Sequence, residues 1–335
     1  MKEAMLYEQM EKGLVRCNLC RRRCTIGPGG VGFCRVRKND GGKLYTLNYG
    51  KCCAYNNEPI EKKPFYHFLP GTYSFSFAAV GCNFRCLHCQ NWDIAQPTEI
   101  FGNDISPEQI VKMAEKYGSK SIAYTYTEPT IFFEYASDCA KIAHERGIAN
   151  VFVTNGYMSP EAISMMEYVD AARVDLKAFN DKFYKEVCGN ASLDGVLDSI
   201  KLLHKKIHVE LIVLLIPTLN DSPDELRQMA QWIKQIDRRI PVHFTAYYPA
   251  NKMTIPPTPL STLQNARRIA IEEGLLYAYT GNIPGDEGEN TCCPRCGRVA
   301  IRRFGFSVLE LNIDKEGRCS NCLNPLSIVT KITRV

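Results

Sequence analysis

The residues of this chain best suited to chemistry are its cysteines, sixteen among 335 residues. Most fall into three sets. Cys82, Cys86 and Cys89 lie within eight residues of one another, close enough for their thiolates to wrap a single iron–sulfur cubane. Three protein ligands for four irons leave one iron open, able to chelate a small molecule through an amine and a carboxylate. Zinc is the competing use of such thiols, but it wants a fourth ligand, and His88 between two of the cysteines is awkwardly placed to supply it. Cys293-x2-Cys296 and Cys319-x2-Cys322 are two knuckles at the spacing of a zinc ribbon, with Gly297 suited to the tight turn, and they point to a closed structural zinc site. Cys17-x2-Cys20-x3-Cys24-x9-Cys34 also reads as a metal site. Its compact first spacings would suit an auxiliary iron–sulfur cluster, whereas Gly27, Pro28, Gly29, Gly30 and Gly32 suggest a loop-rich knuckle and tip the reading towards zinc. Cys52, Cys53, Cys139, Cys188 and Cys292 read as small buried hydrophobes.

Composition supports the metal reading. No apolar run approaches the roughly 18–20 residues of a membrane span, and Met1 to Arg16 lacks the apolar core of a signal peptide. The chain therefore reads as a cytoplasmic protein without membrane attachment, in a compartment where thiols stay reduced and clustered cysteines serve metals or catalysis. The formal charge of +5 is spread thinly. Its densest stretch, Arg21, Arg22, Arg23, Arg35, Arg37 and Lys38, reads as a solvated face rather than a nucleic-acid surface.

The elements that must position these cysteines follow from patterning. Residues 1–70 form a Cys-rich metal-binding region with little periodicity, and 282–335 a ribbon-like region holding the last set. Between them, over 71–281, strand and helix signals alternate. Strands are expected at Tyr73–Val80, Ser121–Tyr126, Ala149–Val153, Ala172–Asp175, Val209–Ile216, Val242–Tyr247 and Leu276–Tyr279. Capping boxes at Ser106–Gln109 and Ser222–Glu225 open two helices, Ser159-Pro160 opens another, and further helices are expected at Ile131–Arg146 and Leu260–Glu272. Repeated strand–helix units imply an α/β chain with a parallel sheet. No Gly-rich dinucleotide turn follows the first strand, so a partial β/α barrel is expected, with its site at the C-terminal strand ends.

Cys82-x3-Cys86-x2-Cys89 directly after the first strand resembles the signature of the radical S-adenosylmethionine (SAM) superfamily. The wider pattern is similar to the radical SAM member of the AmmeMemoRadiSam system, a group related to pyruvate formate-lyase activating enzymes. It is carried by Pro59-Ile60-Glu61-Lys62-Lys63-Pro64, His67-Phe68-Leu69-Pro70-Gly71, Gln90-Asn91-Trp92, Tyr124 through Thr130, Tyr279-Thr280-Gly281-Asn282 and the two flanking cysteine sets.

That resemblance implies a radical SAM partial barrel with a [4Fe–4S] cluster on Cys82, Cys86 and Cys89. It implies reductive cleavage of SAM to methionine and a 5′-deoxyadenosyl radical, which takes hydrogen from a substrate that nothing in the sequence fixes. It also implies a low-potential donor of flavodoxin or ferredoxin type, and the other AmmeMemoRadiSam proteins as partners. Glu128 would meet the SAM amino group, although Tyr126 and Thr127 stand where relatives often carry glycines. Thr154 and Asn155 would serve ribose or carboxylate. Asp175 and Lys177 resemble an Asp-x-Lys of the activating enzymes, and Tyr248 stands where relatives often place a histidine near the deoxyadenosyl group. His243 reads as a core residue. Two other functions stay open at this point: an activating enzyme that installs a glycyl radical on a partner protein, and a non-catalytic zinc-containing binding protein.

Overall fold

The run Val209–Ile216 is apolar except for Glu210, so it needs cover on both sides. The computed structural model, which describes residues 1–332, supplies that cover on an eight-stranded sheet. Its strands and intervening helices run β1 Ala54–Pro59, β2 Tyr73–Ala78, α1 Pro107–Lys116, β3 Ser121–Tyr124, α2 Phe133–Glu145, β4 Ala149–Thr154, α3 Pro160–Ser164 and β5 Ala171–Asp175. They continue as α4 Asp181–Glu186, α5 Leu193–His204, β6 His208–Leu215, α6 Pro223–Asp237, β7 Val242–Ala246, α7 Leu260–Glu272 and β8 Ala278–Gly281. Spatial order follows chain order, with β2 to β8 parallel to their neighbours and β1 antiparallel to β2. The first and last strands do not pair, so the barrel is partial, as expected.

Strand β1 was not legible. Ala54-Tyr55-Asn56-Asn57-Glu58-Pro59 has no apolar alternation: Asn56, exposed, and Glu58, buried, stand opposite Ser76 and Ser74. The sheet thus reaches into residues 1–70, and the expected boundary at 70 cuts a strand from it. The ribbon region 282–335 ends in three residues that lie outside the described ones.

Ser106 and Gln109 close the expected capping box on α1. At α6 only half of the box forms. Ser222 accepts from Glu225 N, but the Glu225 carboxylate turns away to accept from Phe179 N (2.6 Å) and Asn180 Nδ2 (2.8 Å), bracing the loop after β5.

One face of the sheet, with Phe75, Phe77, Tyr124, Phe152 and Leu211, packs on the helices. The other, with Ala123, Ala149, Val151 and Ala171, packs on Ile60, Phe65, Phe68 and Leu69, so the segment from 60 to 69 floors the barrel. Buried Glu210 near the start of β6 holds that floor, accepting from Tyr66 N (3.0 Å), His67 N (2.8 Å) and His243 Nε2 (2.8 Å). His243 is a core residue, as expected. The His67 Nδ1–H donates to Leu326 O (3.1 Å), which leaves Nε2 to accept from the Tyr279 hydroxyl (2.6 Å), and burial pushes this neutral ring down to about 3.

Residues 1–46 build two small three-stranded sheets, and strands Thr291–Cys292, Val299–Phe304 and Ser307–Leu311 make the C-terminal ribbon. Arg303 fastens the ribbon to the floor. Its fully buried guanidinium donates to Tyr66 O (2.9 Å) and Thr291 Oγ1 (2.8 Å) and faces the Glu61 carboxylate at 3.9 Å. The basic stretch of the N-terminal region is engaged within the protein rather than solvated: Arg22 donates to Asn83 O and Gly189 O, Arg23 to Glu161, and Arg37 to Glu134. No helix among the described residues is long and apolar enough to cross a membrane. Arg303→Ala, which strands Glu61 and several buried acceptors, is expected to cost about 3–5 kcal/mol. The check is a drop in melting temperature under anaerobic conditions, with the metal content of each sample measured alongside.

Candidate active site at the C-terminal strand ends

Because β2 to β8 run parallel, the residues that follow them gather at one edge of the sheet. Gly81 to Cys89 leave β2 as a loop without helix or strand, and its shape is set by bonds from elsewhere. Arg85 N and Leu87 N donate to Cys188 O (3.1 Å) and Val187 O (3.0 Å), while Lys252 N and Asn251 Nδ2 donate to Leu87 O (2.9 Å) and Cys86 O (3.1 Å). Gly81 has φ +111°, and a Cβ there would lie 2.7 Å from Val36 Cγ1, so only glycine lets the N-terminal region approach this closely.

The three loop thiols do not all lie within 4.8 Å of one another. Among the described residues, the one group of three or more potential ligands whose donor atoms all lie within 4.8 Å of one another is Cys293, Cys296, Cys319 and Cys322. A cubane holds its cysteines farther apart than a single ion does, and a triad wider than this limit is compatible with one. Donors also face Cys82: Phe84 N at 3.3 Å and Asn155 Nδ2 at 3.7 Å from its sulfur, ready to stabilise a thiolate. Burial raises the Cys82 thiol, with Glu128 nearby adding to the effect, so a bound cation would be what holds it as a thiolate. His88 is buried, pushed down to about 3 by burial and then by Lys177.

Glu128 follows β3 and is 2% exposed. Its Oε1 accepts from Thr130 N, Thr130 Oγ1 (2.6 Å) and Thr154 Oγ1 (2.7 Å), and its Oε2 from Asn155 N (2.8 Å). Burial raises its pKa, against the pull of these bonds. Glu128 therefore ties the end of β3 to the end of β4. The backbone before it is strained: Tyr126 has φ +61°, the left-handed region that suits glycine. Its carbonyl accepts from Asn91 Nδ2 (2.8 Å) and its hydroxyl donates to Glu58 (2.8 Å).

Thr154 and Asn155 have partners inside the chain. Thr154 Oγ1 accepts from Gly156 N, and Asn155 bridges Asn83 Oδ1 (2.7 Å) and Tyr157 N (3.0 Å), so both brace the cluster loop. After β5, Lys177 Nζ donates to Asp175 (2.9 Å), and Arg173 contacts the other oxygen of the same carboxylate. Burial works to raise the Asp175 pKa, but Arg173 and Lys177 outweigh it and hold the group ionised below its ordinary value. Lys177 is held well above its own, burial notwithstanding, by Asp175 and the nearby Cys86 and Cys188. Tyr248 after β7 is 47% exposed and donates to Asn282 O at 3.3 Å, at the rim of this edge.

Several residues were missed by sequence reasoning. Arg173 alternates with Asp175 on one face of β5, and the two-residue period of a strand was the signal that marks it. Lys63 is buried against Glu58 beside Arg173, and burial pulls its ammonium down to about 8. Cys188 is buried as expected but lies against Cys86, whereas Cys292, expected inside, is exposed.

This fold, with a cysteine triad on the loop after its first parallel strand, matches the Radical SAM superfamily model over residues 78–233, and the chain belongs to that superfamily. A protein of Methanocaldococcus jannaschii, itself uncharacterised, is 47% identical over 335 residues, covering 98% of this chain and 100% of the relative. The pyruvate formate-lyase-activating enzyme of Clostridium pasteurianum is 24% identical over 179 residues, 50% of this chain and 72% of that enzyme. A radical SAM methyltransferase from Sphaerobacter thermophilus shares the fold, with TM-score 0.50 and 15% identity over 66% of this chain and 70% of that one.

Glu128→Ala leaves four buried donors without their acceptor. A loss of about 2–4 kcal/mol is expected, since each unsatisfied buried group costs about 1–3 kcal/mol and the site can relax in part. An unchanged unfolding midpoint in denaturant would show that this carboxylate does not brace the strand ends.

Proposed function

We propose that this chain is the radical SAM enzyme of the AmmeMemoRadiSam system. In this reading it cleaves SAM reductively at a [4Fe–4S] cluster on Cys82, Cys86 and Cys89. The observation that carries the reading is the open triad of thiols at the C-terminal strand ends, beside buried and charged Glu128, Asp175 and Lys177. Support for the finer assignment lies in the motif residues, which the fold puts to use at both ends of the barrel. Pro59 to Pro64 and His67 to Gly71 form its floor and flank, while Tyr124 to Thr130 carry the Glu128 brace. The C. pasteurianum enzyme matches half of this chain, which is why an activating enzyme acting on a partner's glycine stands as the second reading.

The bound cluster and SAM supply one-electron cleavage of the sulfonium and a 5′-deoxyadenosyl radical that abstracts hydrogen. The chain's own residues hold and orient. Asn155 and Phe84 N support the thiolate of Cys82. The remaining acceptor site on Glu128 Oε2 would take the SAM ammonium, and Lys177 its carboxylate. Asp175 keeps Lys177 and Arg173 ionised and aimed at the sheet interior. Lys63 pairs with Glu58 near Arg173, and these charged groups would suit a polar substrate. The electron would come from a flavodoxin- or ferredoxin-type donor. The site remains one for cofactor chemistry, and Tyr248 at the rim would cover the adenosyl end.

In the ribbon, the Cys293–Cys322 and Cys296–Cys319 sulfurs lie 3.6 and 3.8 Å apart. Tetrahedral zinc with bonds of about 2.3 Å separates its sulfurs by about 3.8 Å. We therefore assign zinc to this closed site. Its four thiols leave no open coordination position, which makes the site structural.

Two experiments test these assignments. Any one of Cys82→Ala, Cys86→Ala or Cys89→Ala is expected to abolish SAM cleavage by dithionite-reduced protein and to remove the electron paramagnetic resonance signal that responds to SAM. Cleavage that survives the substitution would sink the reading. Cys319→Ser should remove about one zinc per chain and lower the melting temperature while iron is unchanged; loss of iron with unchanged stability would contradict a structural role.

A further inference from the structure

The N-terminal thiols form a site of a different kind from the ribbon. Cys17, Cys20, Cys24 and Cys34 line one pocket together with Arg37 and Asn83. Four thiols facing one space could hold either zinc or a cluster, and two observations separate these uses.

The first is spacing. No three of these four sulfurs fall mutually within 4.8 Å, the limit that the four ribbon thiols meet among the described residues. In this respect they resemble the open triad of Cys82, Cys86 and Cys89 and not the closed site of Cys293, Cys296, Cys319 and Cys322. A single ion draws its ligands together because every bond ends on one atom. A cubane spreads them over four corners, with sulfide between.

The second is an unanswered charge. Arg37 is 1% exposed, and it gives one nitrogen, Nη2, to Glu134 Oε2 at 2.5 Å. Its Nε and Nη1 have no partner among the described residues, although both are buried. Its guanidinium lies in the field of Cys17 and Cys34 and borders the pocket. Buried guanidinium N–H groups left without acceptors are costly, and an anionic group in the pocket would answer them. Four thiolates round any metal supply negative charge, but inorganic sulfides of a cluster add acceptors inside the pocket, where Arg37 faces.

We infer that Cys17, Cys20, Cys24 and Cys34 hold a second [4Fe–4S] cluster, fully ligated by cysteine and charge-compensated by Arg37, against the loop that carries the SAM-binding triad. The site adjoins that loop directly. Asn83 borders the pocket and is bonded to Asn155, whose amide faces Cys82 Sγ. Arg22 donates to Asn83 O at 2.9 Å, and its guanidinium lies over the Phe33 ring next to Cys34. Of the two uses open to these thiols, zinc and an auxiliary cluster, the proposal takes the cluster.

The test uses the full chain with the SAM triad removed, C82A/C86A/C89A, purified anaerobically and reconstituted with iron and sulfide. This variant reports the N-terminal site whether or not the chain cleaves SAM, so failure here is distinct from failure of the proposed activity. About four irons and four sulfides per chain, with a visible sulfide-to-iron charge-transfer band, is the expected result, and adding C17A and C34A should remove them. Zinc at the N-terminal set, or no metal there in a protein that keeps its ribbon zinc, would overturn the proposal. Should the triad variant not fold, native mass spectrometry of the unsubstituted chain decides: two cluster masses support the proposal and one overturns it. R37Q is expected to move the potential of the N-terminal cluster in the negative direction, since a buried positive charge is lost. An unchanged potential would overturn the role given to Arg37.

Discussion

A loop with no helix or strand of its own can hold thiols at fixed separations only if its backbone is bonded from outside. The segment from Gly81 to Cys89 meets that constraint on several sides. The backbone of 187–188 receives its N–H groups, Asn251 and Lys252 bond its carbonyls, and Arg22 reaches it from the N-terminal region. Asn155 joins from β4, and Asn155 is itself fixed through its backbone to Glu128. The rest of the molecule can be seen as the means of delivering these donors and acceptors to one edge of a parallel sheet. Parallel strands are effective for this purpose because every strand ends at the same edge while its apolar body is buried among helices.

Much of the barrel could be read from the sequence because its physics is local. Proline after a serine cap marks α1, α3 and α6, and mostly apolar runs mark β4 and β6. What escaped was decided by distant contacts. Strand β1 carries exposed and half-buried asparagines and one buried glutamate, and no periodicity reveals it as a strand. Glu225 fits the capping-box pattern, yet its carboxylate serves a loop more than forty residues away in sequence.

The site shows the same division. The clustered cysteines and the acids at the strand ends were legible as residue types at telling positions. Their partners were not. Glu128 was legible as an anion placed to face an ammonium, but its first task is to accept four bonds from the protein itself. Arg173 and Lys63 enter the picture only when the sheet folds and sets them beside Asp175 and Glu58. Arg37 stood in what reads as a solvated basic run and is in fact buried, because a strand from the N-terminal sheet turns it towards Glu134. Spacing in sequence grouped the thiols into sets but did not tell how far apart they sit, and that separation is what distinguishes one kind of metal group from another.

The fastening of the ribbon by Arg303 has a bearing on supply rather than on chemistry. Its guanidinium bonds Tyr66 O and lies near Glu61, both in the segment that closes the barrel, and His67 of that segment bonds Leu326 of the ribbon. A metal that folds the ribbon adds its binding free energy to everything the ribbon is packed against. The quantity of working enzyme in a cell would then follow the availability of an ion that never meets the substrate, and starvation for that ion would register as a shortage of protein, with each surviving molecule fully competent.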